Sequence, residues 1–177
     1  MEYTFKLEAN DFVQYQLFTA SKSKRIANKK MYGWLIFTFA STVFAIYCFI
    51  NDSTSLAIYF GLIAVIWGTF YPKYFTWKYY NHYNKHVNEH YKNRFGKSTT
   101  LKITQDYIFA TDETGEGKIK TSEIVNVNET SQHLFITFLS GTSLIIPKGE
   151  LKNVDELKNS MSKIGLTICN ELTWSWK

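Results

Sequence analysis

Two long apolar runs dominate the pattern of hydrophobic and polar positions along this chain. They cover residues 33–50 and 56–71, contain no Asp, Glu, Lys, Arg or His, and are separated by the short polar segment 51–55. A helix of roughly 20 apolar residues crosses the hydrocarbon of a bilayer, whereas a helix in a soluble core usually carries a polar face. The pattern therefore predicts a transmembrane hairpin rather than two buried helices. A cleaved signal peptide is disfavoured because some thirty mostly polar residues precede the first run.

Basic residues flank both apolar runs, while the connecting segment carries only the acidic Asp52. By the positive-inside rule this arrangement places both ends of the hairpin in the cytoplasm, so we expect a multi-pass protein of the cytoplasmic (inner) membrane. The basic flanks are also the expected contacts for anionic lipid. The residues predicted for that role are Lys22, Lys24, Arg25, Lys29, Lys30 and Lys73.

The net charge of +5 is unevenly distributed. Residues 1–97 carry 12 Lys and Arg against 5 Asp and Glu, whereas residues 98–177 carry 8 against 10. The basic charge therefore belongs to the membrane flanks, and the carboxyl-terminal part is slightly acidic. This distribution argues against nucleic acid as a partner and favours membrane lipids.

Small residues recur along one face of each predicted span. In the second span their spacing of three and four residues places them on one side of a helix, and such a face allows close helix packing in lipid. They either face the corresponding stripe of the first span or bind a partner helix. The second-span stripe consists of Ala57, Gly61, Ala64 and Gly68, and the first-span stripe of Thr38, Ser41, Ala45 and Cys48.

A helix that follows the second span carries three histidines, His82, His86 and His90, at intervals of four residues. Two of them could hold a divalent metal with a carboxylate or water, although exposed histidines in such a polar stretch are usually solvated. The same helix presents an aromatic seam that either packs on the amino-terminal helix or forms a homodimer. The seam consists of Trp77, Tyr80, Asn84, Val87 and Tyr91.

Beyond residue 97 the pattern changes to short alternating segments separated by turns, which predicts antiparallel strands. A final amphipathic helix begins after Asn153, with Glu156 as its capping partner, and ends near Gly165. Because residues 2–8 also alternate, an amino-terminal strand can join this sheet, and the hairpin is then an insertion in one domain. The predicted strands cover 101–103, 107–111, 118–121, 124–129, 134–139 and 143–146.

These elements predict an α+β membrane protein that combines a two-helix transmembrane hairpin with a pleckstrin-homology-like (PH-like) antiparallel β-barrel or sheet and a carboxyl-terminal α-helix. The expected divisions are an amino-terminal strand (1–9), a juxtamembrane helix (10–32), the first span (33–50), an external loop (51–55), the second span (56–74), a cytoplasmic helix (75–97), the PH-like domain (98–165) and a tail (166–177).

Several short motifs resemble the YcxB-like family of small bacterial membrane proteins. They are Phe5-x-Leu7 with Asp11-Phe12, then Gln16-Leu17-Phe18, the basic run with its paired spans, and Ile145-Ile146-Pro147-Lys148 before the last helix. The resemblance covers nearly the whole chain. It implies a PH-like cytoplasmic domain on an inner-membrane anchor, with no established activity or catalytic residues.

Three classes of function are compatible with this sequence. The favoured class is a non-enzymatic adaptor whose PH-like domain binds a protein or peptide, and the second is a protein that binds or senses anionic lipid. The third, an enzyme or transporter subunit, lacks sequence support, because the chain has no phosphate loop, CxxC, HExxH or GxSxG motif and no ionisable group within the spans. We therefore expect no catalytic residue and no cofactor.

Overall fold

The computed structural model describes residues 2–113 and 115–177 and has an α+β architecture, as the sequence predicts. The chain forms two compact units. The first contains Met1–Tyr15 and Asn84–Ser175, and the second contains Gln16–Tyr83 and Trp176–Lys177. The α-helices are α1 (Ala9–Lys22), α2 (Lys24–Ile50), α3 (Thr54–His90) and α4 (Val154–Lys163).

Helices α2 and α3 are long and apolar enough to cross a membrane. Of the most apolar 18-residue window in each helix, 11% is buried, whereas a core helix of a soluble protein is mostly buried. The two helices are joined at Asn51–Ser53, where Asp52 adopts a left-handed backbone conformation with φ of 57°. These observations agree with the hairpin that the apolar runs predict.

The helix boundaries differ from the expected divisions at both ends of the hairpin. Helix α2 begins at Lys24 and continues to Ile50, because Ser23, with extended backbone angles, separates it from α1. At the other end, α3 passes through Pro72 without a break and ends at His90, before residue 97. Pro72 has no N–H to donate to the carbonyl of Gly68, and the indole N–H of Trp34 donates to that carbonyl instead.

The small-residue stripes of the hairpin are largely turned towards each other. Ser41 and Cys48 are buried on α2, and Ala57 and Ala64 are buried on α3. A methyl group added to Gly68 would lie 3.6 Å from the Thr38 side chain. The structure thus favours packing within the hairpin over a partner-binding role for these stripes. Gly61 is the exception, because a methyl group there would meet nothing within 4 Å.

The first unit contains two four-stranded sheets, with strand orders β1-β2-β3-β4 and β7-β6-β5-β8. The neighbouring strands are antiparallel except for β5 and β8, which are parallel. Strand β1 pairs with β2 across the inserted hairpin, with Phe5 opposite Thr99. The strands are β1 (Glu2–Lys6), β2 (Ser98–Ile103), β3 (Tyr107–Asp112), β4 (Gly115–Lys120), β5 (Ile124–Glu129), β6 (His133–Phe138), β7 (Ser143–Pro147) and β8 (Ile168–Asn170).

One hydrophobic core joins the strands to α4. Phe5, Leu101 and Ile136 from the sheets are buried with Leu157 and Met161 from the helix. The Asn153 side chain caps α4 by accepting a hydrogen bond from the backbone N–H of Glu156 (3.1 Å), as its position before the helix predicts. Gly165 follows the helix with φ of 83°, a conformation that glycine adopts without strain.

Candidate functional site

Two pairs of side chains, one from α2 and one from α3, line a depression in the second unit. Arg25 and Lys29 lie one turn apart near the start of α2. Lys78 and His82 have the same spacing on α3. Because residues four apart share one face of a helix, each helix contributes a pair of side chains to a common depression.

This depression, the basic cleft, has a volume of about 520 Å³. Three of its side chains carry permanent positive charge, and none of its described lining residues is acidic. The cations are exposed to solvent, so they are accessible to an anion that approaches from outside. The residues that line the basic cleft are Ser23, Arg25, Ile26, Lys29, Lys78, Tyr79, His82 and Tyr83.

Two tyrosines form an apolar wall with polar tips in the basic cleft. Burial raises the pKa of Tyr83, and the neighbouring Tyr79 raises it further. The Tyr83 hydroxyl therefore stays neutral at physiological pH and keeps its ability to donate a hydrogen bond.

A second depression, the aromatic groove, has a volume of about 610 Å³ and an almost entirely apolar surface. One wall comes from the end of the chain, since Trp176 Nε1 donates a hydrogen bond of 3.0 Å to the carbonyl oxygen of Thr76. Lys30 Nζ donates to the carbonyl oxygen of Lys177 at 2.7 Å. The residues that line the aromatic groove are Lys30, Pro72, Lys73, Thr76, Trp77, Tyr80, Trp176 and Lys177.

Only two residues of the aromatic seam, Trp77 and Tyr80, line the aromatic groove, although the sequence predicts one continuous surface. Val87 is fully buried and the Tyr91 ring lies 5.1 Å from that of Phe12, in agreement with packing on the amino-terminal helix. Trp77 and Tyr80, in contrast, are 61% and 40% exposed. Spacing along one helix cannot show this division, because the groove wall comes from a residue about one hundred positions away.

Lys22 and Lys24 line neither depression. The Lys22 ammonium lies 5.3 Å from the centre of the Phe18 ring. Arg25 and Lys29 line the basic cleft, while Lys30 and Lys73 line the aromatic groove. The basic run therefore provides two chemically different sites, which its composition alone does not separate.

The histidines of α3 are not gathered into a three-ligand site. His90 Nδ1 lies 3.0 Å from the carbonyl oxygen of His86, and the two imidazole rings are 4.3 Å apart. Within residues 2–113 and 115–177, no three or more His, Cys, Asp or Glu side chains are arranged to hold a metal ion. His82 instead lines the basic cleft.

The first unit contains a polar cluster that the sequence did not indicate. Buried Glu129 accepts hydrogen bonds from Lys148 (2.8 Å) and is paired with Lys158 (2.9 Å). Burial acts to raise the pKa of Glu129, but the hydrogen bonds and positive charges of the two lysines outweigh it, so the net pKa is lowered. Nearby, buried His133 bonds to Asp11 at 2.8 Å.

No protein-family model, curated protein or solved structure matches this chain. The YcxB-like resemblance and the PH-like fold therefore remain predictions. The features of the molecule that bear on function are the two depressions and the chemistry of their linings.

Proposed function

We propose that this chain is a membrane protein that binds the anionic headgroup of a phospholipid in its basic cleft. One observation carries the proposal, namely the grouping of Arg25, Lys29 and Lys78 around a cleft without acidic lining, on two helices long and apolar enough to span a bilayer. The guanidinium and ammonium groups suit phosphate oxygens. Each such cation near an anionic surface contributes about 1 kcal/mol.

The proposal includes a spanning hairpin with both ends on the cytoplasmic side. The pairing of β1 with β2 supports this topology, because strands that share a sheet lie on the same side of any membrane that the intervening helices cross. The basic flanks support the cytoplasmic side. The two four-stranded sheets share their hydrophobic core with α4, and this arrangement supports a PH-like domain. Together with the sequence motifs, it supports membership of the YcxB-like family.

Retention of lipids by the full-length protein tests the headgroup site. The protein is released from vesicles of phosphatidylglycerol and phosphatidylcholine in mild detergent, and retained lipid is measured by native mass spectrometry. The triple variant Arg25→Gln, Lys29→Gln, Lys78→Gln is expected to lose roughly 3 kcal/mol of binding, which is about a hundredfold in affinity for the anionic lipid.

The control for that experiment is the variant Lys120→Gln, Lys152→Gln, Lys163→Gln. It removes the same charge at exposed positions outside the basic cleft, so it should retain phosphatidylglycerol as the wild type does. Equal retention by the wild type and the cleft variant would overturn the proposal. Equal loss in both triple variants would also overturn it, because the effect would then depend on net charge alone.

A second candidate function is the non-enzymatic adaptor, which presents its domain to a protein or peptide partner. Strand β4 lies at the end of its sheet order, so its outer edge is available for an added strand. A photo-crosslinking residue at Glu116 in β4, compared with one at Asp155 in α4, tests this function in cells. A protein captured at residue 116 alone supports the adaptor, a second copy there indicates a homodimer, and equal capture at both positions contradicts it.

A further inference from the structure

We propose that the aromatic groove holds one acyl chain of an anionic phospholipid, with the lipid phosphate between Lys30 and Lys73. This site is separate from the basic cleft, although its access to lipid rests on the membrane location proposed above. The two sites recognise different parts of such a lipid, since the aromatic groove would hold a hydrocarbon chain beside its phosphate and the basic cleft a charged headgroup.

The lining of the groove fits hydrocarbon. Pro72, Trp77, Tyr80 and Trp176 provide a concave surface that is almost free of polar area. Indole and phenol rings of this kind concentrate where hydrocarbon meets headgroups. Pro72 directly follows the apolar run that ends at residue 71. The groove therefore lies at the depth along α3 where an inner-leaflet lipid places the upper part of its chains.

One wall of the groove is held in place by contacts within the chain. The hydrogen bond from Trp176 to Thr76 fixes one wall, and the Trp176 ring also lies 6.2 Å from that of Tyr79. A binding site with a fixed wall loses less conformational entropy when it is occupied. Its volume of about 610 Å³ is within the range of roughly 300–1,000 Å³ that is typical of small-molecule sites.

The charges at the rim select the headgroup end of the ligand. Lys30, Lys73 and Lys177 line the groove, and none of its described lining side chains is acidic, while the Lys30 ammonium also donates to the backbone oxygen of Lys177. This rim complements a phosphate and disfavours a free cation. A protein partner fits the groove less well, since a stable interface buries roughly 800 Å² on each side, which is far more surface than these eight residues offer.

The test uses the full-length protein in nanodiscs with a phosphatidylglycerol that carries a diazirine near the middle of one acyl chain. After irradiation, labelled peptides are identified by mass spectrometry. We expect label on residues 72–80 and on the segment that contains Trp176, in addition to the lipid-facing spans. The double variant Trp77→Ala, Tyr80→Ala should reduce the label on Trp176 by about tenfold, the scale of a central aromatic contact.

The matched control is Phe70→Ala, which removes an exposed ring on the same helix that does not line the groove. It should leave the label on Trp176 unchanged. Because all three rings are well exposed, the variants should keep the thermal unfolding midpoint of the wild type. Equal labelling in the control and double variants would overturn the acyl-chain site itself.

The headgroup proposal can fail separately. The basic-cleft variant Arg25→Gln, Lys29→Gln, Lys78→Gln keeps every residue of the aromatic groove, so it should lose only the phosphatidylglycerol held in the cleft, seen as fewer retained lipids in native mass spectrometry, and should keep the Trp176 label. A wild type without Trp176 label but with a functional basic cleft contradicts only the acyl-chain site. A peptide of another protein or of a second copy crosslinked at Trp77 would also contradict it.

Discussion

Trp34 and Gly68 are joined by a hydrogen bond of 2.8 Å from the indole Nε1 to the backbone carbonyl oxygen. This bond replaces the one that Pro72 cannot donate within α3. A second bond runs in the opposite sense, from Trp67 Nε1 to the carbonyl oxygen of Gly33 at 3.2 Å. Each helix of the hairpin thus has a tryptophan that donates to a glycine carbonyl of the other, and these bonds lock the helices in one register.

The first prediction concerns the coupling between Trp34 and Pro72. Trp34→Phe keeps an aromatic ring but leaves the Gly68 carbonyl without a donor, which should cost roughly 1–3 kcal/mol in the free energy of unfolding. Pro72→Ala restores the backbone donor, so Trp34→Phe should cost less in that background. A double-mutant cycle of unfolding in mixed detergent measures the difference. Additive effects of the two substitutions would contradict this account of Pro72.

The second prediction concerns Gly33. A methyl group added there would clash with the Tyr71 hydroxyl, and Tyr71 stacks on Trp67, so the ring would have to move. Gly33→Ala should therefore weaken the hairpin relative to Gly61→Ala, where the new methyl group meets nothing within 4 Å. Both substitutions gain the same helix propensity, about 1 kcal/mol. The difference between the effects of the two substitutions on the free energy of unfolding therefore gives the cost of displacing the Tyr71 ring. Equal effects would show that the ring moves without a cost in stability.

The third prediction concerns acid stability. Because the pKa of Glu129 is lower in the folded state than its ordinary value of 4.5, its ionised form stabilises the fold above that pH. This stabilisation is lost as the pH falls through the folded-state pKa. Glu129→Gln should cost about 3 kcal/mol at neutral pH, since it leaves Lys148 and Lys158 without their carboxylate. The difference from the wild type should narrow below pH 4.5 in thermal unfolding, whereas exposed Glu116→Gln should show little effect at any pH.

The fourth prediction concerns Asp11, which accepts hydrogen bonds from the His133 ring and from the backbone N–H of Glu8. Asp11→Ala should lower the free energy of unfolding by roughly 1–3 kcal/mol, because it leaves a buried imidazole nitrogen without its partner. Asp11→Asn, which keeps an acceptor oxygen, should cost less. Chemical denaturation measures both, with exposed Asn10→Ala as the control. If Asn and Ala at position 11 were equally harmful, charge rather than hydrogen bonding would explain the effect.

The fold could be predicted from the sequence wherever the signal is local. The apolar runs, the alternation of β5 to β7 and the Asn153 cap each depend on neighbouring residues. The sequence predicted helix on both sides of Pro72, but not the hydrogen bond that compensates for this proline, because the donor Trp34 lies 34 residues before Gly68. Strand β8 has three residues, which are too few for a periodic pattern, and it is defined by its parallel pairing with β5.

The basic cleft could be predicted in part and the aromatic groove hardly at all. Charge beside the apolar runs identified Arg25, Lys29, Lys30 and Lys73 without assigning them to separate depressions. Lys78 was one of several similar lysines, and its pairing with Arg25 and Lys29 depends on the packing of α2 and α3. The signal for the groove lay in the closely spaced tryptophans near the end of the chain, but no local rule brings Trp176 to Thr76.

The pairing of Phe5 in β1 with Thr99 in β2 also has a consequence for biosynthesis. At roughly 5–20 residues per second, a ribosome needs roughly 5–20 s to travel from one to the other. During that interval the amino-terminal strand has left the ribosome without its partner, while both apolar helices are still being made. A factor that shields this strand, or an early contact with the membrane surface, would therefore favour correct folding of the nascent chain.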